Sequence, residues 1–556
     1  MSYIVIQKVK NTDKEYVLLA NNNHIRNVGA RQSRKYLGIY DAENNELILS
    51  KKIKELTNEE LIALKNANIK YNGKKKEPRI SLSQSMPNVN LESIEYVGDT
   101  YALSQIAEDT KLSEVLTKCY GKPHAAALLS LAVHQTLTQQ PLYLYDAWLE
   151  NAPKNLKPTG IDSSSAGLSK LMSELGKSTR LTDKFFTEWI SACNKPESLI
   201  CDTTSLSTYS EILMDAEWGY NRDRETLPQI NIVLVIDRKR GIPILFRQLP
   251  GSVSDIVTIE NTSKYLQEYG LFNFHYLLDR GFCSEYNILE LIRRKIGFLM
   301  AAPWATKQSK DLRKKHSRAL TTSPKNSILY NNDQVLRYMS DKWIVGEHEL
   351  SAHLYFDQTR AVQQSCDLEQ RVLRAKNQAD NLIFALYADA LKWLDSLPKN
   401  IQSCFHIVGA LDNTFTVEIK TNSIAKKINE KGFTLILSSE KNLDGLKVIT
   451  DYRQRDKVEK LICVGKNELE QLRLKSGNAE IIKGRLLITF IALILYSEVE
   501  SRLRDAKLLK TYSVAEAFAQ LHNIQAVNLS SGARLMREIT KKQRQILQAL
   551  NLELPQ

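Results

Sequence analysis

The sequence predicts a multidomain α/β protein in which a long insertion interrupts a central mixed sheet. Its 556 residues, 43% of them hydrophobic and 25% charged, suffice for roughly three or four ordinary globular domains. Between residues 198 and 302, strand-like and helix-like runs alternate, as in a mixed α/β sheet. From 303 to 440 that alternation lapses, and residues 441–505 resume it.

Three segments precede the predicted sheet. Residues 1–70 contain short β-type runs, YIVIQKV, EYVLLA, RKYLGIY and ELILS, and they predict a small β-rich domain. Residues 71–100 include YNGKKKEPR and predict a basic linker. Residues 101–197 have apolar positions at helical spacing, which predicts a helical domain. From its position and charge, we expect this domain to bind DNA or mediate dimerisation.

The first part of the core, residues 198–302, has an acidic residue after each of two strand patterns. SLICDTTSLST runs into Asp202, and NIVLVIDRKRGIPILFRQLPGS reads as a hairpin. A helix from about Asp255 to Tyr269 follows, and then FHYLLDRGF, a strand that ends at Asp279. A helix beginning near Ser284 and the strand IGFLMAA complete the pattern. We expect both acids at strand ends.

The remaining segments are an insertion, a return to the core and a C-terminal region. Residues 303–440 predict a largely β insertion that also holds a helix from about Gln358 to Leu394. Residues 441–505 contain the apolar run LLITFIALILY, which is far shorter than the roughly twenty residues of a membrane span and predicts a buried helix. Residues 506–556 predict a C-terminal helical region.

Charge and cysteine usage narrow the class of protein. The formal net charge of +13 favours polyanionic partners such as nucleic acid, although many basic proteins bind none. The seven cysteines include no CxxC pair, and the first residues lack the apolar core of a signal peptide. We therefore expect a protein of the reducing cytoplasm without a membrane association.

The stretch DYRQRDKVEKLICVGK contains a polar stripe. On one continuous α-helix, Tyr452, Arg455, Glu459 and Lys466 fall within an arc of roughly 60°. An amphipathic helix that only packs has no need to align an aromatic residue, a cation, an anion and a cation. The competing interpretation is a helical ion pair between Arg455 and Glu459, worth a few tenths of a kcal/mol.

Three carboxylates, Asp202, Asp279 and Glu459, are the candidate catalytic and metal-binding residues. Carboxylate oxygens suit Mg²⁺, and two such ions about 4 Å apart activate a nucleophile and stabilise the leaving oxygen at phosphorus. Each acid taken singly also fits a helix cap or a surface ion pair. Arg455 and Lys466 are predicted to hold DNA phosphates, and Tyr452 to contact a phosphate or a terminal base.

The spacing of Tyr452, Arg455, Glu459 and Lys466 resembles the YREK signature of DDE transposases from bacterial insertion sequences. Within that resemblance, Asp202 is similar to the catalytic acid on the first strand of an RNase H-like core, and Asp279 to the acid on the fourth strand. The long interval before Glu459 resembles the mostly β insertion of these enzymes.

The resemblance implies an activity, cofactors and partners. Such enzymes cut both ends of a mobile element within a paired, usually homodimeric complex. They join the freed 3′-hydroxyls to target DNA with two Mg²⁺ or Mn²⁺ ions, often through a hairpin intermediate. The implied partners are double-stranded DNA at the terminal inverted repeats and at the target, in the bacterial cytoplasm and nucleoid. An aromatic residue of the insertion often holds a flipped base; Trp343 and Trp304 are the candidates, with a packing role as the alternative.

Further signals and alternatives stay open. Lys314 and Lys315, in the run KQSKDLRKKHSR, are predicted to contact the DNA backbone, although a solvated face is also possible. The histidines of HELSAH are five residues apart in strand-like sequence, which disfavours a zinc helix. Where the resembling enzymes often have a histidine after the signature, this chain has Arg485. The alternative functions are an RNase H-like nuclease without strand transfer and an inactive, domesticated DNA-binding protein.

Overall fold

The structure, a computed structural model, divides into two compact units, Met1–Asn90 and Leu91–Gln556. The residues that it describes are 2–8, 14–25, 29–50, 52–73, 91–210, 212–219, 221, 225–253, 255–331, 333–409, 414–468, 473–474, 476 and 478–553. No helix within these ranges combines the length and the apolar character that crossing a membrane requires.

The first unit is a four-stranded antiparallel sheet with one helix. Its elements are β1 (Ser2–Lys8), β2 (Glu15–Ile25), β3 (Gly29–Asp41), β4 (Glu46–Leu49) and α1 (Asn58–Asn66). Thr57 and Glu60 form a capping box that starts α1, and Ala63 and Leu64 join the apolar core beneath the sheet. The predicted strands are confirmed, whereas α1 was not predicted.

The second unit begins with a strand and a set of helices. They are β5 (Leu91–Tyr96), α2 (Gly98–Asp109), α3 (Leu112–Tyr120), α4 (Lys122–Thr138), α5 (Tyr145–Asn151), α6 (Ser165–Lys177) and α7 (Thr179–Ala192). The helical prediction for this segment is confirmed. The predicted linker 71–100 is wrong at its end, because residues 91–96 pair with the distant residues 525–529. Residues 74–90 of that linker lie outside the described residues.

The next segment builds the centre of a large mixed sheet. Its elements are β6 (Ser198–Thr208), β7 (Gln229–Asp237), β8 (Pro243–Pro250), α8 (Asp255–Glu268), β9 (His275–Leu278), α9 (Glu285–Arg293) and β10 (Gly297–Ala301). β6, β9 and β10 are parallel, and β7 is antiparallel to both β6 and β8. These elements confirm the predicted order of strands and helices.

The predicted insertion is more helical than expected and does not form a separate β domain. It contains α10 (Lys307–Thr322), β11 (Ser327–Tyr330), β12 (Gln334–Val345), β13 (His348–Phe356), α11 (Gln358–Asp380), α12 (Tyr387–Ser396), α13 (Lys399–Gln402), β14 (Phe405–Gly409), β15 (Phe415–Ile419), α14 (Thr421–Ile428) and β16 (Phe433–Ser438). The expectation of a largely β insertion is therefore wrong. Four of its strands extend the central sheet, which has the order β11-β12-β13-β16-β10-β9-β6-β7-β8.

The middle of the insertion has a core of its own. Helices α11 and α12 pack with the β14–β15 hairpin around Val372, Phe405 and Val417. This excursion leaves the sheet after Phe356 and returns at Phe433, and those two residues are paired in the antiparallel register of β13 and β16. The sheet therefore continues across the point where the excursion begins and ends.

The chain then returns to the core and ends in a small second sheet. The elements are α15 (Gly445–Arg453), α16 (Asp456–Cys463), β17 (Arg473–Leu474), α17 (Ala479–Asp505), α18 (Val514–His522), β18 (Gln525–Leu529), β19 (Arg534–Met536) and α19 (Lys541–Ala549). β18 pairs with both β5 and β19. The prediction of a helical C-terminal region is therefore only partly correct, because this region also contains two strands.

Helix α17 joins the helical segment to the sheet. It packs against α4 and α6 and also against β8, and it carries the apolar run predicted to be a buried helix. The amide of Gln135 on α4 donates to Thr489 on α17 at 3.2 Å, which satisfies polar groups inside this core. Trp189 on α7 donates its indole N–H to the carbonyl of Pro243 at 2.8 Å. The helices and the sheet thus share one continuous core.

Candidate active site

Asp202 and Asp279 lie on neighbouring parallel strands. β6 and β9 pair in register up to Cys201 opposite Leu278, so Asp202 and Asp279 are the next residues on each strand. Asp279 directly follows β9, as predicted. Asp202 does not end its strand: β6 continues to Thr208 because antiparallel β7 still pairs with it. The acids nevertheless meet where the parallel pairing stops.

The two aspartates differ in exposure. Asp202 is buried, and its Oδ1 accepts a hydrogen bond from the Thr203 amide at 2.8 Å. Asp279 is half-buried and precedes a 3₁₀ turn, Arg280–Phe282. Its side chain makes no capping hydrogen bond to that turn. Asp279 therefore faces an open pocket, while Asp202 lies deeper in the sheet.

The predicted stripe is not one helix. Tyr452 lies in α15, Glu459 in α16 and Lys466 in a π-helical segment, Val464–Glu468. Between the two helices, the amides of Gln454 and Arg455 bond to carbonyls three residues back, at 3.2 and 3.0 Å, and the α-helical pattern is broken. The expectation of a single continuous stripe is corrected accordingly.

Arg455 contacts two of the three acids and interacts electrostatically with the third. One terminal nitrogen of its guanidinium lies 3.6 Å from Asp202 Oδ2, and the other contacts Glu459. Burial acts to lower the pKa of Arg455, but the electronegative Tyr452 oxygen and the carboxylates of Asp279, Glu459 and Asp202 outweigh it and raise the pKa. With 15% of the side chain exposed, Arg455 stays charged at the centre of the site.

Two of the three carboxylates, Asp202 and Glu459, contact the Arg455 guanidinium, and Asp279 acts on it electrostatically. In the described part of the chain, no three His, Cys, Asp or Glu side chains are grouped closely enough to hold a metal ion. The register of β6 and β9 makes Asp202 and Asp279 neighbours, and Glu459 is linked to Asp202 by Arg455, which contacts both. A divalent ion bound by all three would therefore require the guanidinium to move.

A pocket of about 730 Å³, here named the acid pocket, opens beside Asp279 and Glu459. Its wall includes four arginines and four aromatic rings: Arg280, Arg360, Arg453, Arg455, Trp304, Tyr330, Phe433 and Tyr452. The pKa of the Tyr452 phenol is raised, chiefly by burial; Arg455 opposes the shift and Asp279 reinforces it. Tyr452 is therefore a neutral hydrogen-bonding group, and the arginines supply positive charge next to the acids.

Other predicted contacts lie at different places. Trp304 lines the pocket, but Trp343 is only 5% exposed and belongs to the sheet's core. Lys466 is buried and lines a smaller cavity beside Thr204 of β6, not the acid pocket. Lys314 and Lys315 are exposed on α10, where Lys315 pairs with Asp341 at 2.6 Å.

Three arginines of the pocket were not predicted. Arg453 is stacked 4.2 Å from the ring of Tyr330 and donates to Gln334 at 2.6 Å. Arg360 donates to Thr434 at 2.9 Å, and Arg280 follows Asp279 in sequence. Arg453 directly follows Tyr452 in the sequence, and Arg280 directly follows Asp279, so this adjacency could have indicated that both lie in the pocket. Arg360 carried no local signal, because only the pairing of β13 with β16 brings it near.

The HELSAH histidines lie in strand β13, as their sequence context predicted. His353 is buried, with Nδ1 lying 3.0 Å from the Tyr338 hydroxyl. Burial lowers the pKa of His353 to about 4. Arg485 lines a cavity between α6 and α17, away from the acid pocket.

Comparisons with known proteins identify a family and distantly similar solved structures. The family described as "Transposase DDE domain" matches residues 194–495, which include Asp202, Asp279 and Glu459. A cryo-EM structure of a piggyBac transposase synaptic complex with hairpin DNA is similar at 11% identity, with a TM-score of 0.34, over 72% of this chain and 70% of that chain. A search of curated proteins returned no match.

Proposed function

Because the chain belongs to the transposase DDE-domain family, whose match spans more than half of its residues, we propose that it cuts the ends of an insertion sequence and joins them to target DNA. The observation that carries the proposal is the convergence of Asp202, Asp279 and Glu459 on Arg455 beside an arginine-lined pocket. Such a pocket accommodates a phosphodiester next to the acids that would act on it.

The core is proposed to be RNase H-like. The strand order β8-β7-β6-β9-β10 supports this assignment, with β6, β9 and β10 parallel and β7 antiparallel. That order places the first and fourth strands of the core, β6 and β9, side by side. Asp202 and Asp279 would then be brought together by the topology itself.

Asp202, Asp279 and Glu459 are proposed to hold two Mg²⁺ or Mn²⁺ ions. Their oxygens are the donor type that these ions prefer. When bound, the ions would activate the attacking oxygen and stabilise the leaving oxygen at phosphorus. Arg455 would then exchange its carboxylate contacts for contacts with the DNA phosphate. Like a carboxylate, a phosphate has two oxygens that can accept a pair of hydrogen bonds from a guanidinium group.

Further features of the reaction are proposals from the signature. Tyr452 and Arg455 would position the terminal strand in the pocket, and Lys466 would contact DNA next to β6. Release of the element through a hairpin, with Trp304 against a flipped base, is consistent with the place of Trp304 on the pocket wall. The synaptic complex would contain two copies of the chain on the terminal inverted repeats, in the cytoplasm of a bacterium.

A strand-transfer assay tests the proposal. Labelled element-end DNA and a target plasmid are incubated with the protein and Mg²⁺ or EDTA, beside Asp279→Asn and the matched variant Asp456→Asn. Asp456 borders the same pocket but belongs to neither the triad nor the signature. We expect Mg²⁺-dependent joining that only Asp279→Asn abolishes.

Other outcomes would replace the proposal with an alternative. Cleavage without joined products would indicate a nuclease. Retention of DNA without cleavage would indicate an inactive binding protein. An active Asp279→Asn variant would remove Asp279 from the site.

A further inference from the structure

Helix α10 follows a residue of the acid pocket and is anchored to the sheet at both ends. Trp304, just before the helix, lines that pocket, and Thr306 caps the helix by accepting from the Ser309 amide. Leu312 and Leu320 are buried beneath the helix. Arg337 of β12 donates to the carbonyls of Leu320 and Thr321 at its other end, at 3.0 and 2.7 Å. The helix is therefore held at both ends, and the residue Trp304 that precedes it lines the acid pocket.

The cations of α10 fall into two groups. Arg313 pairs with Glu430 at 2.7 Å and stacks 4.9 Å from Trp304, and Lys315 pairs with Asp341 at 2.6 Å. The second group, here named the α10 stripe, is exposed and makes no ion pair within the described ranges: Lys307, Lys310, Lys314 and Arg318. On an α-helix these four positions lie within an arc of roughly 80°.

We propose that the α10 stripe binds the phosphates of one strand of a DNA duplex as that strand leaves the acid pocket. This inference rests on the proposed function, since the strand that α10 receives is the one cut there. With a rise of 1.5 Å per residue, the stripe extends about 16 Å. A strand of duplex DNA carries one charge per 3.4 Å of axis, so about five phosphates fall within reach.

One acidic residue flanks the stripe. Asp311 is exposed at the edge of the same helix face, about 20° beyond Arg318. Its charge opposes phosphate binding. The stripe therefore predicts opposite effects for Asp311 and its cationic neighbours, which a merely solvated face does not.

The adjacent residues Lys314 and Lys315 provide a matched pair. Lys314→Gln and Lys315→Gln remove the same charge from the same helix, but only Lys314 belongs to the stripe. Binding to a fluorescein-labelled duplex of random sequence is measured in EDTA across a range of salt concentrations. The slope of log K against log salt counts the phosphates neutralised, at about 0.9 per contact.

We expect Lys314→Gln to reduce that slope by about 0.9 and to weaken binding by up to about eightfold at 0.1 M salt. Lys315→Gln should leave the slope unchanged, and Asp311→Asn should tighten binding. The combined variant with glutamine at all four stripe positions should lose about three to four units of slope. Circular dichroism checks that α10 is retained.

Equal effects of Lys314→Gln and Lys315→Gln, or an unchanged slope in the combined variant, would overturn the inference. The proposed function fails separately, through the strand-transfer assay. A protein that joins DNA ends while its stripe variants keep the full slope disproves only the stripe. A protein that joins nothing, but loses slope in these variants, retains the stripe as a DNA-binding surface.

Discussion

The guanidinium of Arg455 lies 3.6 Å from the carboxylate of Asp202 and also contacts Glu459. One cation thus balances two carboxylates that are proposed to bind metal. A divalent ion and the guanidinium would compete for the same oxygens. Metal binding and the position of Arg455 are therefore coupled, and that coupling is measurable without DNA.

Replacing Arg455 is expected to tighten metal binding. Arg455→Gln removes a positive charge a few ångströms from the ion, an interaction worth about 1 kcal/mol or more, so Mn²⁺ should bind about fivefold tighter or more. Isothermal titration of the DNA-free protein measures this. Arg453→Gln is the control, because Arg453 borders the pocket but is held by Gln334. Equal tightening in both variants would contradict a specific role for Arg455.

The two tryptophans of the insertion should separate activity from stability. Trp304→Ala should lower DNA cleavage by about tenfold, since stacking of a base on an aromatic ring is worth about 1–3 kcal/mol. Trp343→Ala should destabilise the fold by about 3–5 kcal/mol, because its ring is buried in the core. Urea unfolding and single-turnover cleavage distinguish the two effects. The reverse assignment would place the flipped base at Trp343.

A methyl group at Gly484 should disrupt the contact between α6 and α17. An added Cβ there would lie 2.1 Å from the carbonyl oxygen of Met172, and neither backbone can move easily. Gly484→Ala should cost about 1–3 kcal/mol in the free energy of unfolding. At Gly465 the nearest atom would be a methyl of Leu493, at 3.6 Å. Gly465→Ala is thus a control that should stay within about 0.5 kcal/mol.

His522 should make stability depend on pH above its ordinary pKa. Its hydrogen bond with buried Asp99, 2.7 Å long, raises the pKa of His522 above 6.5 in the folded protein. The stabilisation is fully present below about pH 6.5 and is lost as the pH rises through the higher folded value. His522→Asn should therefore lower the urea midpoint more at about pH 6 than at about pH 9. A pH-independent difference would contradict the linkage.

Two buried histidines should make the protein less stable as the pH falls, the opposite of the effect expected for His522. Burial lowers the pKa of both His134 and His353 to about 4. They favour the folded state above about pH 6.5, and that contribution is lost as the pH falls from 6.5 towards 4. Replacing either one with glutamine should reduce the loss of stability on acidification, measured as urea midpoints between about pH 6.5 and 4.5. If the variant loses as much stability as the unmodified protein between these pH values, the replaced histidine does not cause the acid destabilisation.

The strands between residues 198 and 302 were predictable because each is a short apolar run bounded by turn residues. The position at which β6 ends was not predictable. Nothing in SLICDTTSLST indicates that β9 stops beside Cys201 while β7 continues to pair as far as Ser207. Where a strand ends depends on its neighbours, so Asp202 was expected at a terminus and lies within a strand.

The break between α15 and α16 escaped prediction for a related reason. No glycine or proline separates Tyr452 from Glu459, and the helical periodicity runs through. In the fold, Arg453 turns to Tyr330 and Gln334, whereas Arg455 turns to the acids. These distant contacts favour the tighter turn between them.

The pairing of Phe356 with Phe433 makes residues 358–431 the loop of an antiparallel hairpin. A hairpin needs only a few residues to reverse direction, so this loop is far longer than the sheet requires. Its length beyond the first turn of α11, which carries Arg360, can change without altering the strands that carry the acids. The part of the module beyond that turn, with its own apolar core, is therefore expected to tolerate insertions and deletions without disturbing the acids.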